Sequence, residues 1–535
     1  MRSRRVLSRF AVVSLVFMAF GNASLAQAPA GITGGSTGSL PSLGETSDLA
    51  AAAERRIGDR IAVSIYRDPD YIDDPVLGDY LQSIWMPLVA AAKARGELNS
   101  ELEDRFAWQV FLIRDRSINA FALPGGYFGV HLGLLAAVSS SDELAAVMGH
   151  ELSHVTQRHI ARMLTQQSRQ TPWMIAAMIL GVLAAGKSTN IGNAAVVGGQ
   201  AVAMQNQLNF SRDMEREADR VGFGVMTDAG FQSRGVSAMF EKLQQASRLN
   251  DNGSFPYLRS HPLTTERIAE ARARVQLSST DAAKPSREKE IEAGKGRVLH
   301  AMMASRARIL AAPGVDGLRS MVTDAQRRSG PVAALQSPAA PDNVRDAGVL
   351  YGGAFAAAQL RDFATAKGLL DRLRPIAAPD APLVANAMDL LSVEIDLLAG
   401  VVPPTAASVD IAKATSRAEV LMQSQSLMAA NRTQEVSSRL QSWVATHPKD
   451  AMAWQLLAVA YGKQNQNVRA IRADAESRAA QLDYPAALDR FKAAQGLMRS
   501  SPGSADYVEG SILDTRTRQT ESLIKEQALQ DKLDR

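Results

Sequence analysis

The sequence predicts an α+β protein, mostly α, in which a first domain with a small sheet is followed by a region that is helical throughout. Three observations carry that expectation. Ser140, followed by Glu143 and then by Leu144, Ala145, Val147 and Met148, is a capping box opening an amphipathic helix near Ser141. Phe106 to Ile113 and Ser117 to Ala122, the latter running into Pro124-Gly125-Gly126, have the apolar and aromatic character of two strands. Beyond about Arg287 the chain turns Ala-rich and carries Trp454, Leu457, Ala458 and Tyr461 at helical spacing, with Ala470 after them.

At the beginning of the chain, Arg2, Arg4, Arg5 and Arg9 precede an apolar run from Phe10 to Phe20, and Ser24-Leu25-Ala26 supplies the small residues a signal peptidase prefers. Residues 1–26 are therefore expected to be a cleavable secretory signal, too short for a membrane anchor, with cleavage after Ala26. Residues 27–47, rich in Gly, Ser, Pro and Thr, read as a disordered leader. Loss of the signal removes four arginines and no acid, so the formal charge of +4 falls to zero and no nucleic-acid footprint survives. None of the 535 residues is Cys, which excludes disulfides and lipoprotein acylation and leaves an exported chain to rest on its core. Apolar periodicity predicts helices over Asp48 to Arg67 and Asp74 to Gly96, packed within a domain spanning 48–275.

The chemistry of that domain is carried by Gly149-His150-Glu151-Leu152-Ser153-His154. Histidines four apart stand one helical turn apart on one face, so both rings can reach a single Zn²⁺, and Glu151 beside them suits a general base. Two ordinary core histidines would instead be buried with a carboxylate and nothing to satisfy them. A zinc hydrolase also needs a third protein ligand and an open position for water. Glu215, within Ser211-Arg212-Asp213-Met214-Glu215-Arg216-Glu217-Ala218-Asp219 and 61 residues beyond His154, is the candidate, and Asp219 shares its helix face. Glu217 points away from that face and reads as a solvated charge. His159 would lie about 180° around the helix from His150, which predicts a ring that is solvated or packed elsewhere. His131, His300 and His447 stand alone, and structural roles are expected for them.

H-E-x-x-H followed by S-R-x-x-E-x-x-A-D resembles the HtpX and CAAX-prenyl-endopeptidase metalloprotease family. The resemblance implies a zincin-type metalloprotease domain in which His150, His154 and Glu215 hold one Zn²⁺ per chain, Glu151 is the general base and Asp219 orients a ligand histidine from behind. Ser260-His261-Pro262-Leu263-Thr264 is similar to a loop of the family's periplasmic members, whose histidine approaches the metal. It implies that His261 gates a latent site, against the plainer reading of a surface residue in a Pro-containing loop. Arg267 would stabilise an oxyanion on the same resemblance. Asn119, Ala120, Phe121 and Ala122, ahead of the Gly-Gly turn, match the family's edge strand and would pair with an extended substrate. The apolar stretch within 172–201 is too short to cross a membrane; a buried or partly exposed hairpin is expected there, packed on the core, with a lid or a peripheral membrane contact as the alternative.

Ser278, Ser279, Lys284, Pro285 and Ser286 predict a polar linker over 276–290. Residues 291–535 then read as an all-α, tetratricopeptide-like solenoid of about four units. Ala487, Phe491 and Ala494 mark a unit after that of Trp454, and Tyr351 to Leu373 and Glu419 to Trp443 are degenerate ones. A plain helical bundle is the alternative. The order of parts is similar to the periplasmic, repeat-bearing branch of the family. That implies a periplasmic protease and chaperone that degrades unfolded or misassembled outer-membrane proteins and works beside the barrel-assembly machinery. A scaffold that binds clients through its repeats while the zinc site stays latent is the competing reading.

Overall fold

The structure is a computed structural model describing residues 50–166, 211–248, 257–280, 287–328, 341–375, 381–500 and 507–533. The expected signal, leader and 172–201 insertion lie outside the described residues.

Helix α1 (Ala51–Tyr66), strand β1 (Tyr71–Ile72) and helix α2 (Pro75–Ala94) open the fold. Asp74 caps α2 by accepting from the Leu77 N–H at 2.8 Å, and Pro75 occupies the first turn, where its missing N–H costs nothing. Helix α3 (Ser100–Arg105) leads into β2 (Gln109–Ile113), β3 (Ala120–Leu123) and β4 (Tyr127–His131). The sheet order is β1-β2-β4-β3, with β2 and β4 parallel and the outer pairs antiparallel. Alternation sorts its two faces: Phe111, Ile113 and Tyr127 pack on Ile57 and Ile61 of α1, while Leu112, Phe128 and Val130 join the core shared with α2. Sequence reasoning missed β4 because all five of its residues are buried, which erases the period-two signal. Gly125 and Gly126 turn β3 into β4 with φ of 73° and 79°, the left-handed region where a side chain is strained. Among the described residues β3 is bonded to β4 alone, so it is an edge strand.

Next come α4 (Leu132–Ala137), α5 (Ser141–Thr156), α6 (His159–Gln166), α7 (Arg212–Asp228), α8 (Arg234–Arg248), α9 (Tyr257–Ser260) and α10 (Thr265–Thr280). Ser140 caps α5 and Ser211 caps α7, each hydroxyl accepting at 3.2 Å from the N–H three residues on. Glu143 reaches back to the Ser139 N–H at 2.8 Å, one residue earlier than a standard capping box. Of the expected linker, the described residues are helical: α10 runs to Thr280 and α11 (Arg287–Leu310) has begun by residue 287. Ser278 stays helical as its hydroxyl donates to the Val275 carbonyl at 2.9 Å and meets the Ser233 hydroxyl at 2.8 Å.

Ten further helices follow in the described residues: α12 (Gly314–Arg327), α13 (Pro341–Gln359), α14 (Phe363–Leu373), α15 (Pro382–Leu398), α16 (Arg417–Ala429), α17 (Thr433–Thr446), α18 (Ala451–Lys463), α19 (Asn467–Ala480), α20 (Tyr484–Ser500) and α21 (Tyr507–Leu533). Neighbours in this series pack on one another. Arg361, Asn431 and Asn465 end the first helices of three pairs with φ of 63°, 61° and 59°. Asn431 and Asn465 stand 34 positions apart, the length of a tetratricopeptide unit.

Among the described residues, the two parts share one core. Val298, Met302, Met303 and Ala307 of α11 share one core with Leu81 and Trp85 of α2 and Leu134 and Leu144 around α5. Three acids of Asp73-Asp74-Pro75-Val76-Leu77-Gly78-Asp79 tie the sheet side to the helical region. Asp73 takes both terminal nitrogens of Arg417 at 2.7 Å, Asp74 pairs with buried Arg306 at 2.7 Å, and Asp79 accepts from the Ala418 N–H at 2.8 Å.

Candidate metal centre

Helix α5 turns the first two histidines of its motif towards each other, with the Nε2 atoms of His150 and His154 3.0 Å apart. Helix α7 crosses α5 at Gly149 and Gly222; a Cβ on Gly222 would stand 3.0 Å from the Gly149 carbonyl and the His150 nitrogen. Only that bare crossing lets Glu215 descend to 3.4 Å from His154 Nε2 and 3.6 Å from His150 Nε2. His261, immediately after α9, adds its Nδ1 at 2.9 Å from Glu215 Oε1 and 3.3 Å from His150 Nε2. One donor atom from each of these four buried residues lies within 4.8 Å of the others. Donors around a tetrahedral Zn²⁺ with bonds of about 2.0–2.1 Å stand roughly 3.3 Å apart, so both the spacing and the nitrogen and oxygen set fit zinc.

Glu151 is 2% exposed, and neither of its carboxylate oxygens has a partner in full hydrogen-bond geometry, the Tyr257 hydroxyl being the one side-chain donor that favours its charged form. A buried carboxylate left in that condition is costly, and it is the expected state of a base whose partner is a water or substrate. Burial pushes its pKa up, opposed by the His261 ring 3.4 Å away and by His150. Tyr257 of α9 stacks on His261 with ring centroids 4.6 Å apart and closes this side of the centre.

The donors are held in different ways. Burial drives His154 strongly towards its neutral form. Burial acts likewise on His150, but Asp219 and Glu215 outweigh it and lift the ring to about 10 among the protein groups alone. Glu215 is held far below the usual carboxylate range, since His261, His150 and His154 overcome the opposite pull of burial. Asp219 stands behind His150, its Oδ1 3.0 Å from Nδ1.

Arg267 is tied to the ligand helix and to the 261–264 loop. Its Nε and Nη2 bind Asp219 at 2.7 and 2.9 Å, while Nη1 donates to the Pro262 carbonyl at 2.8 Å and lies 2.7 Å from Glu215 Oε2. Two buried carboxylates claim the guanidinium, so it braces the ligand helix from behind. Against burial, it pulls Asp219 down to about 2.

His159 and Glu217 meet each other beside the metal centre. His159 is fully buried, with Nδ1 2.9 Å from His154 Nδ1 and Nε2 3.0 Å from Glu217, which also takes Arg162 at 2.8 Å. The expectation that His159 lies on the far side from His150 extrapolated one continuous helix through it. In fact α5 stops at Thr156, and Arg158, with φ of 54°, swings the chain back. No Gly, Pro or Asn announces that turn. The other histidines are structural: His131 meets Ser117 at 2.9 Å, His300 bridges the Tyr80 hydroxyl at 2.6 Å and the Val138 carbonyl at 2.9 Å, and His447 stacks on Trp443. Ala120, Phe121 and Ala122 lie on edge strand β3 beside α5, and Asn119 precedes it with a buried Oδ1 that has no partner.

Residues 80–275, which contain this whole centre, match the profile of peptidase family M48. The beta-barrel assembly-enhancing protease of Escherichia coli is 34% identical over 241 residues, covering 45% of this chain and 47% of that protein. A Vibrio cholerae protein given the same name provisionally is 37% identical over 239 residues, covering 44% and 47%. The mitochondrial metalloendopeptidase OMA1 of Saccharomyces cerevisiae is 28% identical over 195 residues, covering 35% of this chain and 53% of that protein. The chain thus spans about half the length of the curated relatives it matches.

Proposed function

We propose, from the premise that residues 80–275 are a peptidase family M48 domain, that this chain is a zinc-dependent endopeptidase of the periplasm acting on unfolded or misassembled outer-membrane proteins. The observation that carries the peptidase reading is Glu151, a buried carboxylate with no partner in full hydrogen-bond geometry, standing beside four converging donors. A ligand cage alone has no need of that group.

His150, His154 and Glu215 would hold the ion, which when bound supplies a Lewis acid that polarises the scissile carbonyl and acidifies the attacking water. Glu151 takes the water's proton and passes it to the leaving amine. An extended substrate pairs along β3, main chain to main chain. His261 fills the fourth donor position and stands 3.4 Å from Glu151, so it must withdraw before water and substrate can enter. The resting enzyme is therefore closed, and loop 261–264 is its gate.

The choice of clients rests on the names of the two bacterial relatives, the secretory character of residues 1–26 and a helical region with turns at tetratricopeptide spacing. One observation favours the scaffold reading: His261 completes a four-donor set that would make a purely structural zinc site. Degradation of casein and of an unfolded barrel protein by the purified, zinc-loaded chain separates the two. Glu151→Gln is expected to lower turnover about 10²- to 10⁴-fold with zinc retained, and His261→Ala to raise it. Absence of cleavage in every form, with zinc bound, would leave the scaffold.

A further inference from the structure

His159 opens α6 after the left-handed turn at Arg158, and its ring returns to within 4.9 Å of the His154 ring. Its two nitrogens face different partners: Nε2 is 3.0 Å from Glu217 Oε2, and Nδ1 is 2.9 Å from His154 Nδ1. A carboxylate only accepts, so the Glu217 contact puts the His159 proton on Nε2 and leaves its Nδ1 as an acceptor. A hydrogen bond between the two Nδ1 atoms then requires the His154 proton on Nδ1. That leaves the His154 Nε2 lone pair directed at His150 Nε2 and Glu215, 3.0 and 3.4 Å away.

We propose that His159 and Glu217 are positioning residues for His154, a two-step relay that fixes the tautomer and ring orientation in which Nε2 faces the metal. The inference rests on His150, His154 and Glu215 being the zinc donors. It makes the two histidines of the motif equivalent by different means: His150 is backed directly by Asp219 at 3.0 Å, and His154 by a carboxylate acting through an intervening imidazole. Carboxylate backing raises the basicity of a ligand ring and keeps it from rotating. Arg162, 2.8 Å from the same Glu217 oxygen, holds the far end of the relay in place.

The test measures zinc affinity of the full chain by competition with a chelating dye, with the Co²⁺ absorption spectrum as a second readout. His159→Leu is expected to weaken zinc binding about 10- to 100-fold and to alter the Co²⁺ spectrum, and Glu217→Ala to weaken it about 10-fold. His159→Asn keeps an acceptor oxygen near the Nδ1 position and is expected to stay within about threefold of wild type. Wild-type affinity in His159→Leu, or an equal loss in the Leu and Asn variants, would overturn the relay. Should His159→Leu lose its helical circular dichroism, Glu217→Ala decides alone, and unchanged affinity there overturns it. A wild-type chain that binds no zinc would sink the donor assignment and the relay with it.

Discussion

Two glutamates in one centre are pushed in opposite directions. Glu151, buried without a full hydrogen bond, is raised, while Glu215, facing three histidines, is held far down. A proton acceptor and a metal ligand need those opposite states, so environment separates two identical side chains into two roles. Asp219→Asn removes the charged partner of both His150 and Arg267, and zinc affinity is expected to fall about 10- to 100-fold, measured by chelator competition. Most of these residues were legible as motifs. The role of Arg267 and the relay of His159 and Glu217 were not, because each depends on which carboxylate or ring lies opposite after α5, α7 and the 261–267 loop have packed.

Between helices, the α5–α7 crossing sets the geometry of the metal centre. At Gly222 the obstacle to a methyl group is backbone, the Gly149 carbonyl and the His150 nitrogen at 3.0 Å, which cannot rotate aside as a side chain would. Gly222→Ala is therefore expected to destabilise the protein by about 1–3 kcal/mol in urea unfolding and to weaken zinc binding in the same variant. A variant that lost stability but kept its affinity would show that Glu215 follows its helix less rigidly than argued. The cap at Ser140 could be read from the chain because capping is local. The glycine contact could not, since its two halves lie 73 positions apart in the sequence.

For the molecule as a unit, arginines hold the helical region to the sheet side. Arg306 is 2% exposed and binds Asp74 and Glu394; Arg306→Ala would leave two carboxylates facing each other and is expected to cost about 3–5 kcal/mol in denaturant unfolding. Arg417 joins Asp73 to Asp450, and Asp450 also accepts from the Trp443 indole at 2.9 Å. Burial opposes it, but Arg417 and Trp443 hold Asp450 below the usual carboxylate range. A lowered folded pKa means the contribution is complete above the unfolded value of about 3.9 and is lost as pH falls through the folded one. Trp443 fluorescence should accordingly report loosening below about pH 4, and Asp450→Asn should be less stable at neutral pH yet flatter across that acid window.

Residue order alone specified what depends on near neighbours: the helix that carries His150, Glu151 and His154, the cap at Ser140 that opens it, the strand character of β2 and β3, and the helical character of the C-terminal region. Spacing along the chain encodes these because each is completed within a few residues. Packing decided the rest: that His261 closes the donor set, that Arg267 braces Asp219, that His159 backs His154, and that α11 merges the two halves into one core. Each of those depends on side chains far apart in sequence finding the same buried space, where an unpaired charge or polar ring is costly, and that pairing exists only once the chain has folded.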